Sequence, residues 1–171
     1  MPNQSKGLRA VARFATVLLL LSVAACNPGS ALTSSEKWSD TQPAINLEHV
    51  FFGEINKRGR PTGYHARPGG KDPQHARVAR IVSKANPAGV YTARIEVYDK
   101  DQQQWREKFS SMFPDTLSRE DVIQAITHAY HKRDKSKNQP WSGPSGLGFP
   151  IQGYVLNDGR INTAFPVYLK P

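Results

Sequence analysis

Five histidines, at positions 49, 65, 75, 128 and 131, are the residues of this chain best suited to move protons near neutral pH. None is spaced from another as compact metal ligands are, in the manner of His-Glu-x-x-His. His128 and His131 fall on the polar side of a predicted helix, away from Ile126, and read as surface residues. His75 follows Asp72-Pro73-Gln74 in a basic loop and reads as solvent-exposed or phosphate-contacting. His49 and His65 each adjoin a predicted strand, among small or aromatic neighbours, and two readings stand for them. They are either structural histidines satisfied in a core or an acid–base pair. Metal-free cleavage of RNA would need such a pair, one imidazole to take the 2′-hydroxyl proton and one to protonate the departing 5′-oxygen. It would also need a cation to offset charge on the phosphorane. The run from Lys57 to Arg80 carries Lys57, Arg58, Arg60, Arg67, Lys71, Arg77 and Arg80 against Asp72 alone. Wrapped around His65 it would attract a phosphate backbone; otherwise it is a solvated face.

These side chains need a frame. Ile45 to Ile55, with Val50-Phe51-Phe52 at its centre, predicts a buried strand, and Asn56 to Gly63 a turn. Tyr64 to Arg67 reads as a short return strand before the Pro68-Gly69-Gly70 break. Arg77 to Val82, Val90 to Tyr98 and Trp105 to Met112 predict further strands, with a turn at Asn86-Pro87-Ala88-Gly89. Ser118 to Arg133 is the clear helix: Ser118 and Asp121 resemble a capping box, and Val122, Ile123, Ile126, Ala129 and Tyr130 share a face. Residues 131–137 form a solvated basic exit, and Trp141 to Gly148 reads as loop. Ile151 to Leu156 and Ile161 to Leu169 predict closing strands around the hairpin signal Asn157-Asp158-Gly159. The fold class is α+β, mostly antiparallel sheets with one long helix.

The 171 residues, 22% of them charged and 38% hydrophobic, exclude a disordered polyampholyte and a polytopic membrane protein. Lys and Arg number 23 against 14 Asp and Glu, a net charge of +9 that favours a polyanionic partner, either nucleic acid or an anionic membrane surface. Cys26 is the single cysteine, so neither an intramolecular disulfide nor a multi-cysteine zinc site can form. Lys6, Arg9 and Arg13 precede the apolar run Phe14 to Ala25, which makes residues 1–25 a signal peptide. The run ends in Leu21-Ser22-Val23-Ala24-Ala25-Cys26, which resembles a bacterial lipobox with Cys26 at the lipidated position. A plain secretory signal leaving Cys26 as a free thiol, and a buried hydrophobic helix, are the alternatives. Residues 26–44, rich in Ser, Thr, Pro and Gly, read as a flexible linker to a domain over 45–171.

Four motifs then occur in order. Leu47-Glu48-His49-Val50-Phe51-Phe52-Gly53-Glu54-Ile55 is followed by Gly63-Tyr64-His65, then Lys108-Phe109-Ser110-Ser111-Met112-Phe113, then Thr163-Ala164-Phe165-Pro166. Together they resemble the EndoU family of uridylate-preferring endoribonucleases. The resemblance implies two small antiparallel sheets with flanking helices, and cleavage of RNA to 2′,3′-cyclic phosphate and 5′-hydroxyl ends. It casts His49 and His65 as the catalytic pair, with His65 as base, and Lys108 as the group that stabilises the transition-state phosphate. Thr163 and one of Ser110 or Ser111 would position the pyrimidine, and Phe165 would stack near the base. Two positions depart from the family pattern. Met112 stands four residues after the lysine, where animal and viral relatives carry serine, and Phe165 replaces a tyrosine found in many relatives.

No cofactor is required on this resemblance, although manganese stimulates some relatives. The implied partners are RNA, a cognate immunity or inhibitor protein, and the membrane through a lipid at Cys26. Bacterial members are often toxin domains at the end of larger secreted proteins, whereas this chain reads as a free-standing exported nuclease, secreted or held in the cell envelope. The alternative reading is a non-catalytic basic envelope lipoprotein that binds nucleic acid or another polyanion.

Overall fold

The hydroxyl of Ser118 accepts from the Asp121 N–H at 3.0 Å, and the Asp121 carboxylate accepts from the Ser118 N–H at 3.0 Å. This reciprocal cap starts the helix α1, Arg119–His131, at the residue the sequence marks. Val122, Ala125, Ile126 and Ala129 recur at helical spacing and are buried. The computed structural model of the protein describes Met1 and residues 36–136 and 139–171. The expected signal peptide, apart from Met1, together with Cys26 and the expected linker up to residue 35, lies outside the described residues.

Among the described residues eight strands accompany α1: β1 Glu54–Ile55, β2 Pro61–Thr62, β3 Ala76–Ser83, β4 Tyr91–Asp99, β5 Gln104–Met112, β6 Trp141–Pro144, β7 Pro150–Val155 and β8 Ile161–Pro166. They pair antiparallel as a hairpin β1-β2 and two three-stranded sheets, β3-β4-β5 and β6-β7-β8. The class is α+β and mostly antiparallel, as the strand patterns predict. In β4 Tyr91, Ala93, Ile95 and Val97 are buried at every second position, and Thr92 is buried beside them. They form one apolar cluster with Tyr64, Ala76 and Met112. A second cluster, which includes Phe51, Phe113, Ile126, Trp141 and Ile151, joins α1 to β6-β7-β8. Gly143 lets β6 approach α1, because a Cβ there would lie 2.0 Å from the Ala129 carbonyl oxygen.

Four local expectations change. Residues 48–52 are a single π-helical turn, Glu48–Phe52, and not a strand; the Gly53 N–H donates to the Glu48 carbonyl at 2.9 Å. A short apolar run without alternation buries equally well in either form. The return strand is β2, and Tyr64 to Arg67 lies outside any strand, with the Tyr64, His65 and Ala66 amides donating to carbonyls of the π-turn instead. Part of the expected loop at 141–148 is strand β6, whose Gly and Pro answer to helix packing and to the strand end. Residues 36–44, expected in the linker, pack on the domain: Ser39 N–H donates to the Ile45 carbonyl at 2.9 Å and the Arg160 guanidinium lies 3.9 Å above the Trp38 ring. An aromatic in a polar tract is enough to anchor it.

Candidate active site

His49 sits on the π-turn, where the Asn46 side chain accepts its backbone N–H at 3.1 Å. Its ring Nδ1 lies 2.9 Å from Glu54 Oε1, at the first residue of β1. A carboxylate only accepts, so Nδ1 carries the hydrogen and Nε2 is the nitrogen left for a substrate. The same contact holds the Glu54 carboxyl below the usual carboxylate range.

His65 is fastened to that turn through the backbone. Tyr64 N–H donates to the His49 carbonyl at 2.7 Å and His65 N–H to the Val50 carbonyl at 2.8 Å. Gly63 makes the approach feasible: its φ is +72°, and a Cβ would lie 2.2 Å from the His49 carbonyl oxygen. Tyr64 also takes a positive φ of 58°, a strained choice for an aromatic residue, and its hydroxyl is tied to Asp72. The two imidazole rings end 6.1 Å apart, centroid to centroid.

Strand β5 supplies the third side. Lys108 Nζ donates to the Gly63 carbonyl at 3.0 Å. Ser110, 2% exposed, donates to the Tyr64 carbonyl at 2.9 Å while its oxygen lies 2.9 Å from His65 Nδ1. His65 Nδ1 is also 3.1 Å from the Ser111 carbonyl, which can only accept. The hydrogen of a neutral His65 ring therefore sits on Nδ1, and the lone pair on Nε2. Burial, then the charges of Lys108 and His49, push the His65 pKa well below 6.5. Burial also pulls the Lys108 ammonium down to about 8.

Phe165 on β8 closes the group, its ring 5.4 Å from His65. Thr163, two residues earlier on the same strand, has a buried hydroxyl with no hydrogen-bond partner among the described residues. The pleat separates the two serines. Ser110 shares the inner face with Lys108, while Ser111, opposite Thr92, faces outward with Phe109 and contributes only its carbonyl. His75, His128 and His131 are exposed, as their sequence positions suggest.

Several positioning residues are not evident from residue type alone. Arg67, part of the basic run, is consumed by Asp115 at 2.8 and 3.1 Å and by the Tyr91 hydroxyl at 2.8 Å. Asn46 and Asp72 carry no signal beyond the propensity of short polar side chains for backbone bonds. Glu54, five residues after His49, lies within the first motif. Among the described residues no three His, Cys, Asp or Glu side chains form a metal-binding group. A cleft of about 500 Å³ between residues 36–41 and the start of α1, lined by Trp38, Asp40, Leu47 and Arg119, holds none of the site residues.

Residues 44–168 match the family model described as bacterial EndoU nuclease, and these residues include the whole group. This chain belongs to the bacterial EndoU nuclease family. A relative from Bacillus cereus named "Toxin" is 32% identical over 124 residues, which cover 70% of this chain and 22% of the relative. The match thus spans about a fifth of that relative's length. No solved structure matches the chain. Within the EndoU frame, the four motifs read from the sequence are the segments that converge on His49 and His65.

Proposed function

We propose that this EndoU domain cleaves single-stranded RNA at uridylates by metal-free transesterification. The observation that carries the reading is the pair of imidazoles 6.1 Å apart whose Nδ1 atoms are both engaged, one by a carboxylate and one by a carbonyl. His65 Nε2 takes the proton of the 2′-hydroxyl, and the 2′-oxygen attacks phosphorus. The bond from phosphorus to the 5′-oxygen breaks, and His49 Nε2 delivers the proton to that oxygen. The products are a 2′,3′-cyclic phosphate and a 5′-hydroxyl. A base must be free of its proton, and the buried, cation-flanked ring of His65 supports that role. Lys108 offsets the charge that develops on the phosphorane.

Thr163 and Phe165 hold the uracil in this reading. The unpaired Thr163 hydroxyl supports the assignment, since a hydrogen bond to the base recovers the cost of about 1–3 kcal/mol of leaving it unsatisfied. Ser110 positions His65 and leaves the pyrimidine to others. No cofactor takes part in any step, and manganese acts at most as a stimulant.

The relative's name and the family support an exported toxin restrained by a cognate immunity protein, since active enzyme in the producing cell would degrade host RNA. Residues 1–25 direct export and Cys26 carries a lipid anchor; fatty-acid labelling lost in Cys26→Ala checks the anchor, and unchanged labelling overturns it.

The decisive experiment incubates the full-length chain, beside His65→Ala, with a short RNA containing one uridine, in chelator and then with manganese. Cleavage at uridine to a cyclic phosphate, lost in the variant, is expected. A folded wild type that leaves the RNA intact in both conditions overturns the reading in favour of a non-catalytic polyanion-binding lipoprotein.

A further inference from the structure

The hairpin β1-β2 runs directly from one histidine's partner to the other histidine. It opens at Glu54, which holds His49, and closes at Thr62, one residue before the carbonyl that Lys108 holds and three before His65. Its tip carries Lys57, Arg58 and Arg60, all exposed, around Gly59. Among the described residues none of the three has an ion-pair partner. The other cations of the same basic run that pair do so elsewhere: Arg67 with Asp115, and Arg77 with Glu96 while stacked on Trp105. The tip is held in shape. The Asn56 side chain accepts from the Arg58 and Arg60 amides at 2.9 and 3.1 Å, and Asn56 N–H donates to the Arg60 carbonyl at 2.9 Å. Lys57 follows Glu54 by three residues and Arg60 precedes Gly63 by three, so at about 3.3 Å per residue the cations begin roughly 10 Å of chain from the site.

We propose that the hairpin tip is a binding site for the phosphates of single-stranded RNA flanking the scissile bond. Three unpaired cations on an ordered turn, rooted on both sides in the catalytic group, form a backbone clamp that reads charge and not sequence. This rests on the endoribonuclease reading for its ligand, but its test does not need turnover. The probe is a fluorescent twelve-nucleotide RNA whose single uridine is 2′-deoxy, which removes the attacking hydroxyl. Its Kd for the full-length chain is measured by anisotropy from low to moderate salt, for wild type and for the Lys57→Gln/Arg58→Gln/Arg60→Gln variant. A control, Lys84→Gln/Lys100→Gln/Lys132→Gln, removes the same charge from exposed positions on other elements.

The hairpin variant is expected to bind about tenfold more weakly at low salt, with the slope of log Kd on log salt reduced by about 2, since each single-strand phosphate contact contributes about 0.7. The control should stay within about twofold of wild type. If the hairpin variant matches the control in Kd and slope, the clamp is overturned, and an acidic protein partner becomes the candidate for the tip. Cleavage of the all-ribose RNA is scored separately: its failure in wild type removes the endoribonuclease reading, while the salt slopes still decide the clamp. Thermal denaturation of each variant checks that the turn, held by Asn56, persists.

Discussion

The His65 ring sits where an added proton would be costly, enclosed by packing and faced by the Lys108 ammonium. In the proposed mechanism it is the base and gains activity when pH rises through its depressed pKa, so the acid limb of kcat/KM should lie below pH 6.5. In the same mechanism Lys108 offsets charge while protonated, and its pKa is pulled down to about 8, so activity should fall on the alkaline side by about pH 8. Lys108→Arg, with a guanidinium that keeps its charge, should carry less activity at its optimum yet move the alkaline limb upward; a limb that stays put would exclude Lys108 from setting it. Ser110→Ala should lower kcat about tenfold with little change in KM, by leaving the Tyr64 carbonyl unpaired and freeing His65 Nδ1 on one side. A KM-dominated loss would return Ser110 to substrate binding.

Among the elements, α1 contributes stability at a distance from the chemistry. Ile126 is fully buried at its contact with the second cluster, and Ile126→Ala should lower the urea-unfolding free energy by about 2–5 kcal/mol. The cleavage rate of the remaining folded enzyme should change little, and a matching fall in kcat would mean that α1 tunes the site. Capping and alternation are local rules, which is why α1, β3, β4, β5 and the β7-β8 hairpin are legible in the sequence. The π-turn and the chain at 64–67 are not, because the Tyr64 and His65 amides donate to the His49 and Val50 carbonyls, each fifteen residues away. β6 escaped for a similar reason, since Gly143 answers to the Ala129 carbonyl and carries no local turn requirement.

At the scale of the molecule, a net charge of +9 establishes attraction to a polyanion but not where it acts. Folding pairs Arg67 and Arg77 with acids, while among the described residues the three cations of the β1-β2 tip keep no ion pair. The types of the site residues are visible as motifs in the chain, whereas the division of labour between Ser110 and Ser111 waits on the pleat of β5. The crowding at Gly63 has a genetic consequence. A cell made to express a nuclease that harms it survives by mutation, and at this codon every replacement brings a side chain against the His49 carbonyl at a φ of +72°. Sequencing the survivors of such a selection should return Gly63 substitutions about as often per codon as losses of His49 or His65. Survivors that spare codon 63 would mean that the turn yields to a methyl group, and that the enzyme tolerates wider spacing of its imidazoles than this fold holds.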